Sequence, residues 1–341
     1  MAKRSKVYTG SEWVDLASSA TDLSNYANLT TNQPSFRNVL TNAAFTIDQR
    51  NAGASQTITA GAALAYTVDR WYAYCTGANI TGARVAGAAP SRYYYRFTGA
   101  TSNTAVGFGQ RIETDNSFHL ANREVTLSVN IASTSLTSIT WTAFYANTAD
   151  TFGTLASPTR TQIATGTFAV TSTLGRKSAT FTVPSAATTG IEIVFTGGAL
   201  LGSQTLTYDD AQLELGSIAT PFEQRPIGTE LALCQRYYWR ISSAGHPYSR
   251  YGSGHAYSTV NASPMVVFPV TMRTAPTSFE ANHLALYAGG SVISASYSGI
   301  DSVNTNVGTL TISSSGLTAG TLYMLISNNN TTGFVAASAE L

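Results

Sequence analysis

The residues of this chain whose types could do chemistry are few, and their spacing bears first on catalysis. Glycan cleavage needs two carboxyl groups facing each other across a groove, one an acid and the other a base or nucleophile. Asp209 and Asp210 are adjacent. On a regular strand neighbouring side chains point to opposite faces, which denies that pair the required cooperation. Glu113 and Asp115 share a face if their strand continues, yet acids at a strand end more often serve solvation. His119, His246, His255 and His283 have no metal-type spacing, and neither a Gly-x-Ser-x-Gly element nor a phosphate loop occurs. These residues point away from an enzyme.

Recognition chemistry is better represented. Aromatic faces stack on the C–H surface of a pyranose, and planar guanidinium groups hydrogen-bond its oxygens. Tyr93, Tyr94, Tyr95, Arg96 and Phe97 form a strand in which alternate side chains face opposite sides. Tyr94 and Arg96 are exposed when Tyr93, Tyr95 and Phe97 are core, or the reverse. The second cluster, His246, Pro247, Tyr248, Arg250, Tyr251, His255 and Tyr257, reads as a loop dense in rings and donors. It is equally compatible with burial and with an exposed or intersubunit role. Trp71 reads as core.

The elements that must position these groups are strands. Val125, Leu127, Val129 and Ile131 alternate with Glu124, Thr126, Ser128 and Asn130, the pattern of a half-buried strand. Ile139, Trp141, Ala143 and Tyr145 repeat it, as do Ile191, Ile193 and Phe195. Turn-rich clusters of Gly, Ser, Thr and Pro separate the runs, which predicts a sandwich or jelly roll. Thr229 as N-cap with Glu230 in the first turn predicts one helix of about three turns. Its inward side would carry Leu231, Cys234, Tyr237 and Tyr238. Beyond it, strands resume around a Gly289–Gly290 hairpin turn, and Pro269 within its run predicts an edge strand. The chain is therefore expected to be all-β: two β-sandwich, jelly-roll-like domains joined by a short linker and one short helix. We place the boundaries at 1–35 for a small N-terminal segment, 36–224 for the first sandwich and 225–341 for the second.

Composition narrows the partners. Charged residues are 11% of the 341, well under the globular average of about 25%. The net charge of +1 supplies no field for nucleic acid. No membrane span or secretory signal is visible. Cys75 and Cys234 fall in different expected domains and read as reduced, structural thiols. Within residues 1–35, a short strand with Val7 and Tyr8, a Thr-Gly turn and a second strand with Trp13, Val14 and Leu16 make a hairpin too small to stand alone in water. It is expected to order by docking onto another chain.

The junction between the two expected domains resembles bacteriophage tail-fibre and related virion proteins. An Ala-Gln-Leu-Glu strand (Ala211 to Glu214), an Ala-Thr-Pro-Phe-Glu corner (Ala219 to Glu223) and a Leu-Ala-Leu-Cys-Gln-Arg-Tyr-Tyr helix (Leu231 to Tyr238) follow one another. The Tyr-Thr-Gly-Ser-x-Trp-Val segment from Tyr8 to Val14 is similar to the N-termini of such fibres, which implies that Val7, Tyr8, Trp13, Val14 and Leu16 anchor the protein on other virion proteins of the tail or capsid. Asn42 with Phe45, Asp69-Arg70-Trp71, Gln110 to Glu113, and Asp209 to Glu214 resemble the jelly-roll carbohydrate-binding modules found in phage fibres. The stretch from Phe268 to Pro276 and the Ser-Ala-Glu-Leu end resemble the C-terminal domain of the same fibres.

These resemblances imply a virion protein made in the host bacterial cytoplasm, a tail fibre or, as the alternative, a capsid spike or head decoration protein. They imply a homotrimer with no enzymatic activity that adsorbs to host surface glycans, without nucleic acid or membrane insertion. His246, Tyr248, Arg250, Tyr251, His255, Tyr257, Tyr94 and Arg96 are the candidate receptor contacts. A structural Ca2+ held by Asp209 or Asp210 with carbonyls near Asn42 is also implied; the other outcome is that these acids pair with Arg70 or face water.

Overall fold

The computed structural model describes residues 36–61 and 63–341, together with the strand backbone of β1 (Lys6–Tyr8) and β2 (Trp13–Asp15). These two strands pair antiparallel as the expected hairpin, Val7 opposite Val14 and Tyr8 opposite Trp13. The anchoring role expected of Val7, Tyr8, Trp13, Val14 and Leu16 rests on side chains outside the described residues.

Alternating apolar residues build the all-β sandwich that the sequence predicts. One six-stranded antiparallel sheet runs in the order β11 (Arg160–Ala169), β10 (Ser138–Ala146), β13 (Ile191–Gly197), β8 (Ala105–Ile112), β5 (Trp71–Thr76) and β4 (Ala65–Tyr66). The facing sheet runs β12 (Gly175–Thr182), β9 (Glu124–Ser133), β14 (Thr205–Leu215), β7 (Tyr93–Thr98), β6 (Ile80–Ala86) and β3 (Gln56–Ile58). Val125, Leu127, Val129 and Ile131 point inward and are fully buried, with Trp71, Phe97 and Phe195. Their outward neighbours Thr126 and Ser128 are buried as well, because Gly216 and Arg176 cover them: Thr126 donates to the Gly216 carbonyl at 2.7 Å, and Arg176 reaches the Ser128 hydroxyl at 2.7 Å. The middle of the polar face of β9 is thus roofed rather than solvated, while Glu124 stays exposed.

The second body sets a three-stranded sheet, β15 (Tyr238–Ser242), β24 (Phe334–Ser338) and β19 (Ser278–Asn282), beside a larger one. The larger sheet contains β17 (Asn261–Ala262), β22 (Val307–Ser313), β18 (Met265–Val267), β16 (Arg250–His255), β23 (Leu322–Ser327), β20 (Leu284–Ala288) and β21 (Ser291–Val303). β21 turns at Gly289–Gly290 and pairs with β20 as far as Ala295, then with β22 from Ser296 onward. Its length lets the sheet curl until β21 links two strands that would otherwise be edges, which removes an exposed ladder. Trp239, Phe268, Phe279, Leu310 and Leu325 lie in the core beneath.

Three local expectations change. The helix spans Ile227–Gln235 rather than beginning at Thr229, with Pro226 in the N-cap position and no side-chain cap; proline's fixed φ and missing N–H suit a helix entrance. Glu230 bonds to the Asn42 amide and to Arg225 across the junction. Tyr237 and Tyr238 are buried beyond the helix end. Pro269 does not mark an edge strand. β18 stops at Val267 and lies between β22 and β16, so the chain leaves the ladder before the residue that could not donate to it. β8 ends at Ile112, which places Glu113 before a helical turn, Thr114–Ser117, instead of on one strand face with Asp115.

Arginines join the two bodies. Arg236 of the second holds Glu113 of the first at 2.9 Å. Glu340 is gripped by Arg70 and by Arg50 at 3.2 Å. Arg111 and the Tyr66 hydroxyl donate to the main-chain oxygen of Leu341 at 2.9 and 2.7 Å. Both cysteines are free and buried.

Candidate functional site

Arg250 opens β16 and stands opposite Ile326 of β23, while Tyr287 of β20 stands opposite Val292 of β21. These side chains and Tyr248 line an open groove of about 210 Å³ on the outer surface of the curled sheet. Ile326 and Val292 supply an apolar floor, and the two rings with the guanidinium supply the rim. Strand pairing places four of the five. Tyr248 gets there differently: its backbone sits at φ 63°, a conformation that is an outlier for a bulky side chain. Neighbouring serines hold it. The Ser249 hydroxyl lies 2.9 Å from both the Ser243 and His246 carbonyls, and the Ser249 amide donates to the Ser327 hydroxyl at 2.9 Å. The residue is left 46% exposed.

The groove rearranges the expected cluster. Tyr251 is not a contact residue: it is core, turned inward where β16 shifts register against β23 between Arg250 and Gly252. His246 is exposed in the loop before β16. His255 ends the same strand five residues from Arg250, about 17 Å along an extended chain, and Tyr257 follows it, so these two exposed groups lie at a different place from Tyr248. Tyr287 and Val292 were missed in the sequence, where they read only as hairpin residues. The 3.6- or 2-residue period of one segment carries no record of which neighbour lies beside it.

In the first body Tyr95 and Phe97 are core and Arg96 faces out, as in the first of the two arrangements left open above, but Tyr93 and Tyr94 are both half-buried. Tyr94 and Arg96 line a groove of about 360 Å³ with Ser133, Thr134, Thr205 and Thr207, and Arg96 Nε is 3.4 Å from the Thr207 hydroxyl. On the outer face of the opposite sheet, Glu192 is fully buried between Arg111 at 2.8 Å and Arg160, and accepts the Tyr72 hydroxyl at 2.6 Å. That network spends the carboxylate of Glu192 on two guanidinium groups and a tyrosine hydroxyl.

The Asp209–Asp210 pair overturns the opposite-face expectation. β14 carries an irregularity between Asp209 and Gln212, and Asp210 sits at φ 46°. An extra residue breaks the alternation. Both carboxyl groups therefore reach one hydroxyl, Ser91 Oγ, at 2.6 and 3.2 Å. Asp209 also accepts from the Asn130 amide at 3.3 Å. The expected pairing with Arg70 does not occur; Arg70 is committed to Glu340. Burial, and for Asp210 the neighbouring Asp209 charge, raises both carboxyl groups above the usual range, Asp210 to about 7.

This has a pH consequence. A carboxyl raised in the fold holds its proton where the unfolded chain has released it, so its contribution favours the fold below about pH 4 and is lost as pH rises to about 7. Asp210→Asn mimics the protonated group, and Asn tolerates positive φ. Urea midpoints should show the variant gaining on the parent from pH 5 to pH 8, by on the order of 1 kcal/mol or more. Parallel pH profiles would refute the raised carboxyl of Asp210.

The implied calcium fits this arrangement poorly. The Asn42 carbonyl takes the Trp71 indole N–H at 3.1 Å and the Phe45 amide at 3.0 Å, and the Asn42 side chain is spent on Ile47 and Asp69. Arg176 places a cation beside the two acids. Among the described residues no group of three or more His, Cys, Asp or Glu could hold a metal ion. Calcium requires six to eight oxygens, and this pair with Ser91 and Asn130 does not assemble them.

No family model and no curated protein matches the chain. Similar solved structures exist. TmCBM61, solved with β-1,4-galactotriose, is 14% identical, covers 53% of this chain and 99% of its own, and has a TM-score of 0.32. The CBM22-1 xylan-binding domain of Paenibacillus barcinonensis Xyn10C is 14% identical, covers 50% of this chain and 99% of its own, and has a TM-score of 0.31. The enzymatically active domain of tailspike protein 4 of bacteriophage CBA120 is 13% identical, covers 53% of this chain but 22% of its own, and has a TM-score of 0.31. These three neighbours are two carbohydrate-binding modules and a phage tailspike domain.

Proposed function

We propose that this chain is a non-enzymatic virion protein of the tail-fibre kind that adsorbs to host surface glycan through the Tyr248 groove. The observation that carries this is the strained, clamped and half-exposed Tyr248 beside Tyr287 and Arg250. Strain of this kind costs on the order of 1–3 kcal/mol, and it persists where the surroundings hold it for a purpose. Two rings over an apolar floor offer the stacking surface a sugar needs, and the guanidinium offers directional donors. Burial of both Asp209 and Asp210, whose Oδ1 atoms are inaccessible to solvent, supports binding rather than hydrolysis. In a virion-bound homotrimer, weak single contacts would combine by avidity.

The test is adsorption. Tyr248→Ala and Tyr287→Ala should each lower host-cell binding at least about ten-fold, the loss of roughly 1.4 kcal/mol per chain. Tyr248→Gly separates binding from folding. Glycine removes the backbone strain, so the variant should be at least as stable as the parent while adsorption still falls. Unchanged adsorption by all three variants would exclude the groove as the contact.

A further inference from the structure

Resting on that glycan-binding role, we propose that the sugar held at the Tyr248 groove is acidic, with its carboxylate paired to Arg250. Most arginines here are already committed. Arg50, Arg70, Arg84, Arg111, Arg160, Arg225 and Arg236 form ion pairs. Arg176, Arg240 and Arg273 donate to main-chain carbonyls. Arg250 is exposed and, among the described residues, has no carboxylate partner, no side-chain hydrogen bond and no ring beneath it. No acid lines its groove.

The lining decides the ligand's charge. A sugar stacked on Tyr248 and Tyr287 displaces water from the guanidinium, and a charge stripped of water without a counter-charge is costly. A neutral hydroxyl returns part of that loss. A carboxylate returns more, because the planar fork of five N–H donors matches its two oxygens and such charge-assisted bonds are about twice as strong as neutral ones. Phosphate can accept the same two-donor fork, but the apolar floor of Ile326 and Val292 favours an anion carried on a ring.

Calorimetric titration of the full chain with trigalacturonate, sialyllactose, galactotriose and inorganic phosphate tests this. At least one of the two carboxylated sugars should bind about ten-fold tighter than galactotriose, and added salt should shrink the difference. Arg250→Gln should weaken the carboxylated sugars far more than galactotriose and so erase the preference, whereas Tyr248→Ala should weaken every sugar. Equal affinities, a preference that survives Arg250→Gln, binding of phosphate alone, or binding of none of the four would overturn the acidic-sugar assignment. If Tyr248→Ala still lowers adsorption in any of those cases, the groove remains the glycan contact. If Tyr248→Ala changes neither adsorption nor sugar binding, the underlying function falls with it.

Discussion

Glu340→Ala should lower the unfolding free energy by about 3–5 kcal/mol, the usual result of removing one partner from a buried ion pair. The Glu340 carboxylate is almost wholly buried between Arg70, itself 2% exposed, and Arg50. Without it the Arg70 charge stays in the junction with no counter-charge, over the Tyr237 ring at 3.4 Å. Cation–π attraction of about 0.5–2 kcal/mol does not replace a carboxylate. The lost contact joins the two bodies, so guanidinium titration followed by tryptophan fluorescence should show a lower midpoint and a separation of the two unfolding steps. Glu340→Gln keeps the shape and a hydrogen-bond acceptor and should lose less. A loss below about 1 kcal/mol for the alanine variant would mean that the pair behaves as a solvated surface bridge.

Phe108→Ala should cost a similar 3–5 kcal/mol by a different mechanism, loss of burial plus a cavity that neighbours cannot fill. Phe108 touches Phe45, Trp71, Tyr95, Phe97 and Tyr208, with ring centroids 4.8–5.8 Å away. Four of these rings come from strands of both sheets and Phe45 from the segment before β3, and each is nearly fully buried. None can swing into the hole without emptying its own place. Thermal unfolding by circular dichroism should show the drop in the first body, while Tyr248-dependent adsorption per folded molecule stays unchanged. A variant as stable as the parent would show that the two sheets close over the gap.

The strands of the first body were legible because burial on one face writes itself as alternation: Val125 to Ile131 and Ile139 to Ala143 lie where their pattern places them. Where a single inserted residue breaks the period, the pattern misleads. Asp209 and Asp210 were assigned to opposite faces and instead share Ser91. Tyr251 was taken with the exposed rings because its glycine-rich strand shows little alternation, and packing turned it inward.

By itself the sequence determined the strand content, the turn at Gly289–Gly290, the burial of Trp71 and the presence of two segments dense in rings and arginines, all of which follow from local period and residue type. Only the tertiary structure decided that Tyr287 and Val292 join Tyr248 and Arg250, that β21 closes a sheet, and that Glu340 meets Arg70 from 270 positions away. Those contacts depend on which strands become neighbours, and strand order is fixed by the summed packing of the whole chain rather than by any segment of it.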